Sequence, residues 1–246
     1  MIIKTPFNYP LKNENRTLHI YLPDNYYESD EHYPVAYYFD GHNLYNDEDA
    51  TYGKSWGLKT FLENYDKKFI VVGMECTHVG KERLDEYCPY DLKESWLGTL
   101  KGYGKDTIEW IINDIKPYID SNYRTMPFRE TTMIAGSSMG GLMSLYAAIA
   151  YNIYFSKAAC LSPSSMICEG LLKEEILNNE LSEDTRIYLS AGTGELRESK
   201  DYTNIHIENL LKQRNLITYR VLYEGYNHCE ADWEKQNQTY MNFLWY

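Results

Sequence analysis

The sequence predicts a three-layer α/β fold: a mostly parallel central sheet with helices on both faces. Three observations carry that prediction. Short, continuously apolar runs read as strands buried on both faces. Segments with helical periodicity alternate with them along the chain. The 246 residues contain no repeat, low-complexity tract or Gly/Ser/Pro-rich linker, so a single domain over residues 1–246 is expected.

The elements follow in order. Residues 16–22 alternate as a strand does, and Pro23 ends them. Residues 35–39 (VAYYF) form an apolar run, residues 56–65 a helical pattern, and residues 69–74 (FIVVGM) a second apolar run. The longest helix is predicted over 105–123, where Ile108, Ile111, Ile112, Ile115 and Ile119 recur at helical spacing. A strand over 132–135 is followed at once by glycine and serine, then by a Leu- and Ala-rich helix over 141–151. Strands over 158–161, 186–190 and 218–223 and helices over 202–214 and 230–245 complete the pattern.

Composition narrows the function. A net charge of −12 argues against nucleic acid or an anionic membrane surface as partner, since both require a basic footprint. It also disfavours a strongly anionic substrate. No apolar run approaches the roughly 18 residues of a membrane span. Residues 1–16 lack a continuous apolar segment and a small-residue cleavage site, so no signal peptide is expected. The five cysteines form no C-x-x-C pair, so reduced thiols, a cytoplasmic location and no metal site are the expectation. Tyrosine is unusually frequent at 25 copies; its apolar body and polar tip serve half-exposed clefts as well as cores. Oligomeric state is not legible.

The strongest motif is Gly136-Ser137-Ser138-Met139-Gly140, a G-x-S-x-G between an apolar strand and a small-residue helix. Such a sharp turn forces strained backbone angles on the central residue and lifts its side chain to the surface. The flanking glycines leave room for it and set the register, so Ser138 is the candidate nucleophile and Ser137 is filler. The following helix points its positive end at the site, which favours an anion.

A serine hydroxyl needs a base to take its proton. When nucleophile, acid and base follow in that chain order, the base lies after the last strand. His228, in the loop sequence YEGYNHCEADW, fits. His19 lies in an early strand, His32 in a charged loop, His206 in a helix, and His78 too early. A carboxylate must orient the imidazole and stabilise its charged form. Glu195 is the first carboxylate after the strand RIYLS, with Glu198 and Asp201 as competitors. The negative oxygen of a tetrahedral intermediate requires two preorganised N–H donors. One is expected from the backbone of Met139. The other is expected from His42, in the loop Asp40-Gly41-His42-Asn43 after an early strand, where Gly41 lets the backbone approach the substrate.

With these residues in hand, the chain resembles the putative-esterase family, the esterase D and carbohydrate-esterase-one-like branch of the α/β hydrolases. The resemblance runs from YPVAYYFDGHNLYND through SWGLKTFLE, VVGMECTHVGKERLDEYCPYD and IKPYIDSNYRTMPFRETTMIAGSSMGGLMSLYAA to YLSAGTGE and GYNHCEADW. Family members commonly read DGQN at positions 40–43, GSSMGG or GSSLGG around Ser138, G-T-x-E around Glu195, and carry a late histidine loop around His228. The resemblance implies a three-layer α/β-hydrolase fold, a Ser-His-acid triad, no cofactor, and small-molecule or carbohydrate ester substrates. Short-chain acyl, acetyl or feruloyl esters are the expected class. Alternatives are an acyltransferase, a siderophore-trilactone hydrolase and a catalytically silent carbohydrate-binding module.

Two departures stand out. The segment Ser162-Pro163-Ser164-Ser165-Met166 carries small residues where the family often has bulky aromatics, which implies either a wider acyl pocket or a pocket wall supplied from elsewhere. Ser137 replaces the histidine typical of S-formylglutathione hydrolases, which argues against that substrate. Gly41, Asn43, Tyr87, Trp96 and Ser164 are the candidates for substrate contact; Tyr87, Tyr90 and Trp96 are the rings that would line a sugar or aryl cleft, or else cap a core. The RLDEY segment is expected to hold itself together through an Arg83–Glu86 interaction.

Overall fold

The structure, a computed structural model, describes residues 1–95, 97–195 and 199–246. Strands β1 (Ile2–Tyr9) and β2 (Glu14–Tyr21) form an antiparallel hairpin, followed by β3 (Val35–Phe39), helix α1 (Leu58–Glu63) and β4 (Ile70–Met74). Helix α2 (Glu82–Glu86) precedes a small hairpin of β5 (Leu92–Ser95) and β6 (Gly98–Leu100). Helix α3 (Gly104–Trp110) passes through a π turn (Ile111–Ile115) into α4 (Lys116–Asn122). Then β7 (Thr132–Ser137) leads to α5 (Met139–Ala150), β8 (Lys157–Leu161) to α6 (Glu169–Asn178), and β9 (Arg186–Gly192) to α7 (Ser199–Gln213). Strand β10 (Ile217–Tyr223) is followed by α8 (Glu230–Glu234) and α9 (Asn237–Trp245).

Eight strands form one mixed sheet in the order β1-β2-β4-β3-β7-β8-β9-β10, parallel from β4 to β10 and antiparallel at the β1-β2-β4 edge. Side chains alternate between two cores, as the strand period demands. Tyr37, Phe39 and Ile134 pack under Ile108, Leu142, Leu172 and Ile207 of α3, α5, α6 and α7. Ala36, Tyr38 and Met133 face the other way, against Leu58 of α1 and Trp233, Tyr240 and Leu244 of α8 and α9. This is the expected three-layer α/β fold. Among the described residues no helix is long and apolar enough to cross a membrane.

The differences from expectation have local causes. β1 escaped notice because it is a half-exposed edge strand containing Pro6, and an edge strand tolerates a missing donor. α6 escaped because it buries only Leu172 and Ile176 in an otherwise polar segment. The helix expected over 105–123 contains a π turn immediately before Lys116-Pro117, with the Lys116 amide reaching back to the Ile111 carbonyl. Proline has no N–H and its ring crowds the preceding turn, so one wider turn absorbs it. The last helix breaks in two where the Gln236 amide bonds Trp233 O at 3.0 Å, and the restart lets the Asn237 side chain bond Trp56 O at 2.8 Å.

The turn from β7 into α5 is built by contact rather than flexibility. A Cβ on Gly136 would lie 2.6 Å from the Gly140 carbonyl carbon, and one on Gly140 would lie 2.9 Å from Phe39 Cβ. Gly136→Ala must therefore part strand from helix. It is expected to lose about 1–3 kcal/mol in urea unfolding, the usual cost of overpacking a tight site; an unchanged midpoint would show that the turn has slack.

Candidate active site

The candidate side chains project from loops at the carboxyl edge of the parallel sheet, where ligands bind in α/β folds. Ser138 is the residue between β7 and α5, with φ 59° and ψ −120°, outside the ordinary regions for a residue with a side chain. Its amide donates to Leu161 O at 3.0 Å, and its carbonyl accepts from Ser164 N at 2.9 Å and Leu142 N at 3.0 Å. Three backbone bonds thus hold the bend. The hydroxyl lies 3.4 Å from Ser164 Oγ, so Ser164 touches the candidate nucleophile directly.

Glu195 is buried and fully engaged. Oε1 accepts the Gly192 amide at 2.9 Å and a short bond from the Ser162 hydroxyl, while Oε2 meets His228 Nδ1 at 3.0 Å. Ser162 Oγ in turn accepts Trp233 Nε1 at 3.1 Å, and the Trp233 ring stands edge-on to His228 at 5.0 Å. These donors fix the direction of the carboxylate. The loops carrying Glu195 and His228 leave neighbouring parallel strands and are stitched together: Gly194 N donates to Tyr226 O at 2.9 Å and Gly225 N to Thr193 Oγ1 at 2.8 Å. Asp201, a competitor for the acid, is instead paired with Arg220 at 2.6 Å, and Glu198 lies outside the described residues.

Ser138, His228 and Glu230 line one cavity of about 420 Å³, with Asn43, Arg83 and Trp233 also on its wall. Among the described residues no hydrogen bond joins the Ser138 hydroxyl to the imidazole; the hydroxyl leans on Ser164 instead. Met139 and His42 occupy the first turns of α5 and of a 3₁₀ turn (Gly41–Asn43), where backbone amides have no partner within the helix. Burial pushes the Glu230 carboxyl above its usual range, and the charge of Asp40 adds to it.

Asp40, just before the 3₁₀ turn, is a non-glycine residue in the left-handed region at φ 58°. Burial would raise its pKa, yet it is held below the usual carboxylate range by the Arg83 guanidinium, bonded at 2.7 and 2.6 Å. Tyr87 accepts the Asp40 amide at 3.2 Å and packs against Phe39 and Arg83.

Several expectations are corrected here. Arg83 pairs with Asp40 rather than with Glu86, which binds Arg16 at 2.7 Å and the Thr77 amide at 3.0 Å. Tyr87 is a buried support of the Asp40 loop rather than a cleft ring, because its hydroxyl is spent on that backbone. Tyr90 packs on Tyr146 and is not on the cavity wall, Trp96 lies outside the described residues, and among the described residues the Tyr and Trp side chains on that wall are Tyr52 and Trp233. Gly41 is required by β4 rather than by a substrate: a Cβ there would lie 2.4 Å from the Gly73 carbonyl carbon. Asn43 does reach the cavity wall, and its Oδ1 accepts the Thr51 amide at 2.9 Å.

Sequence reasoning missed Asp40–Arg83, Ser162, Trp233 and Glu230. Ser162 carried a signal in its place directly after a strand and before proline, and at φ 44° it is a second strained turn.

Arg83→Met should cost roughly 2–4 kcal/mol of stability at neutral pH, at or below the range for breaking a fully buried pair because the guanidinium is 28% exposed. The sign of its pH dependence follows. In the wild type the Asp40 contribution is present above about pH 3.9 and is lost as pH falls through the lowered folded pKa. Without Arg83, burial dominates and raises the carboxyl pKa, so the deficit should shrink as pH falls toward the carboxyl range. Urea titrations at several pH values measure this; a deficit that stays constant or grows on acidification would contradict it.

The comparisons agree with this architecture. The family described as Putative esterase matches residues 11–236. The uncharacterized protein YbbA of Bacillus subtilis (strain 168) is 26% identical over 193 residues, 77% of this chain and 72% of that protein. The fold is similar to the crystal structure of an IroE-like serine hydrolase from Shewanella oneidensis, with TM-score 0.79 and 19% identity, covering 99% of this chain and 79% of the other. It is also similar to the BES protein from Bacillus cereus, with TM-score 0.77 and 20% identity, covering 100% and 95%.

Proposed function

The chain belongs to the Putative esterase family, and from that membership we propose that it hydrolyses carboxylic esters through an acyl-enzyme on Ser138. The observation that carries the reading is the joint placement of a strained serine and a carboxylate-held histidine on one cavity wall. Ser138 Oγ attacks the ester carbonyl while the second ring nitrogen of His228 takes its proton. Glu195 holds Nδ1 as donor and stabilises the imidazolium. The backbone amides of Met139 and His42 receive the oxyanion, aided by the amino end of α5. His228 then protonates the leaving alcohol, and water attacks the acyl-enzyme by the same route in reverse.

Short-chain acyl and carbohydrate-linked esters fit this site best. The exposed Tyr52 offers a ring face for a sugar, and Asn43 and Glu230 offer polar groups. Among the described residues Arg83 is the only Lys or Arg on the wall, and its charge is spent on Asp40. A strongly anionic substrate therefore finds no unpaired Lys or Arg there among the described residues, which disfavours an iron-loaded trilactone.

Hydrolysis of p-nitrophenyl acetate tests the reaction. Ser138→Ala is expected to lose about 10³-fold or more in kcat/KM; equal rates would remove Ser138 from the mechanism. Glu195→Gln, similar in shape, should lose about 10²–10⁴-fold chiefly in kcat, because it leaves the imidazolium unsupported. A loss confined to KM would assign Glu195 to binding. Acetylated xylo-oligosaccharides and butyrate esters should be cleaved in preference to long-chain esters, and the reverse order would overturn the substrate class.

A further inference from the structure

Beside the candidate ester site stands a set of side chains that the mechanism leaves unused. β3 and β4 are neighbouring parallel strands, and the loops at their carboxyl ends bring His42 against Glu75 and His78. One ligand atom from each of the three lies within 4.8 Å of the other two. The two imidazole rings meet at 4.7 Å between centroids, and His78 Nε2 is 3.8 Å from Glu75 Oε2.

On His42 and Glu75 one further atom is already held. His42 Nε2 bonds Thr51 Oγ1 at 2.9 Å, while Nδ1 is buried and has no hydrogen-bond partner among the described residues. His42 as a whole is only 6% exposed, and a ring nitrogen buried without a partner costs free energy comparable to a lost hydrogen bond. On Glu75, Oε1 is bonded to His19 Nε2 at 2.6 Å, and His19 is itself buried. A metal-binding histidine and carboxylate are ordinarily fixed in this way, the far atom bonded to a neighbour and the near atom left for the ion.

We propose that His42 Nδ1, Glu75 Oε2 and His78 Nε2 form a binding site for one divalent transition-metal ion of the zinc type. Two imidazoles and a carboxylate are the donor set of three-ligand zinc sites that keep a fourth position open. Ligands about 2.1 Å from a tetrahedral ion lie about 3.4 Å from one another, so small side-chain rotations close the site. The cysteine pattern gave no hint of such a site, because its ligands come from two loops at positions 42, 75 and 78 and none is a thiol. Both imidazoles line the cavity that Ser138 also lines, so the ion would sit on the wall of that cavity. The site stands independently of the ester-hydrolysis reading.

Calorimetric titration of chelator-treated protein with Zn²⁺, and with Co²⁺ followed by visible absorption, tests the proposal. The wild type should take up one equivalent, with cobalt bands of a nitrogen and oxygen site of low coordination number. His78→Ala removes an exposed ligand without disturbing the core and should weaken binding by at least about tenfold. His32→Ala, whose ring bonds Thr125 O elsewhere, should bind as the wild type does. Wild-type protein that takes up no equivalent would overturn the proposal. So would binding that survives unchanged in His78→Ala and Glu75→Gln, or a cobalt spectrum showing thiolate charge transfer.

Discussion

The bend at Ser138 is the constraint on which the rest of the site depends. A serine at φ 59° and ψ −120° is strained by roughly 1–3 kcal/mol and persists only where its surroundings over-determine it. Here they do. Gly136 and Gly140 bring strand and helix too close for any side chain between them. The bonds of Ser138 to Leu161, Ser164 and Leu142 tie the bend to β8, to the loop after it and to α5. The strain is thus offset by packing at the centre of the sheet, and its result is a hydroxyl beside the first free amides of α5.

A second centre of order lies around Glu195. Its carboxylate organises groups from three parts of the chain: Gly192 of β9, Ser162 after β8 and His228 after β10. Ser162 passes the constraint on to Trp233, whose ring borders the imidazole. Hydrogen bonds to a charged group contribute about 1.5–3 kcal/mol each, so this network stabilises the loops as well as orienting the histidine. On the other side of Ser138, Arg83 and Tyr87 do the same for the loop that carries His42.

Much of this was legible because it is written locally. The runs VAYYF and IVVGM are buried on both faces and read as strands without context, whereas β1, half exposed and carrying Pro6, does not. The G-x-S-x-G turn announces itself through glycines two residues either side of Ser138, and Glu195 and His228 follow from their places after successive strands. The supporting pairs were not legible. Arg83 meets Asp40 across 43 positions and Trp233 meets Ser162 across 71, distances over which spacing carries no signal. The expected Arg83–Glu86 contact failed for that reason: the nearer carboxylate lost to a buried one that the fold brings alongside. Gly41 shows the same limit, since the group that forbids a side chain there is the backbone of Gly73 on another strand.

The claim that the strained hydroxyl at position 138 is the reacting atom is tested most directly by locating the covalent adduct. Protein treated with a fluorophosphonate, digested and mapped by mass spectrometry should carry one label, on Ser138. A label on Ser137, Ser162 or Ser164 instead, or native protein that takes up none, would contradict the account.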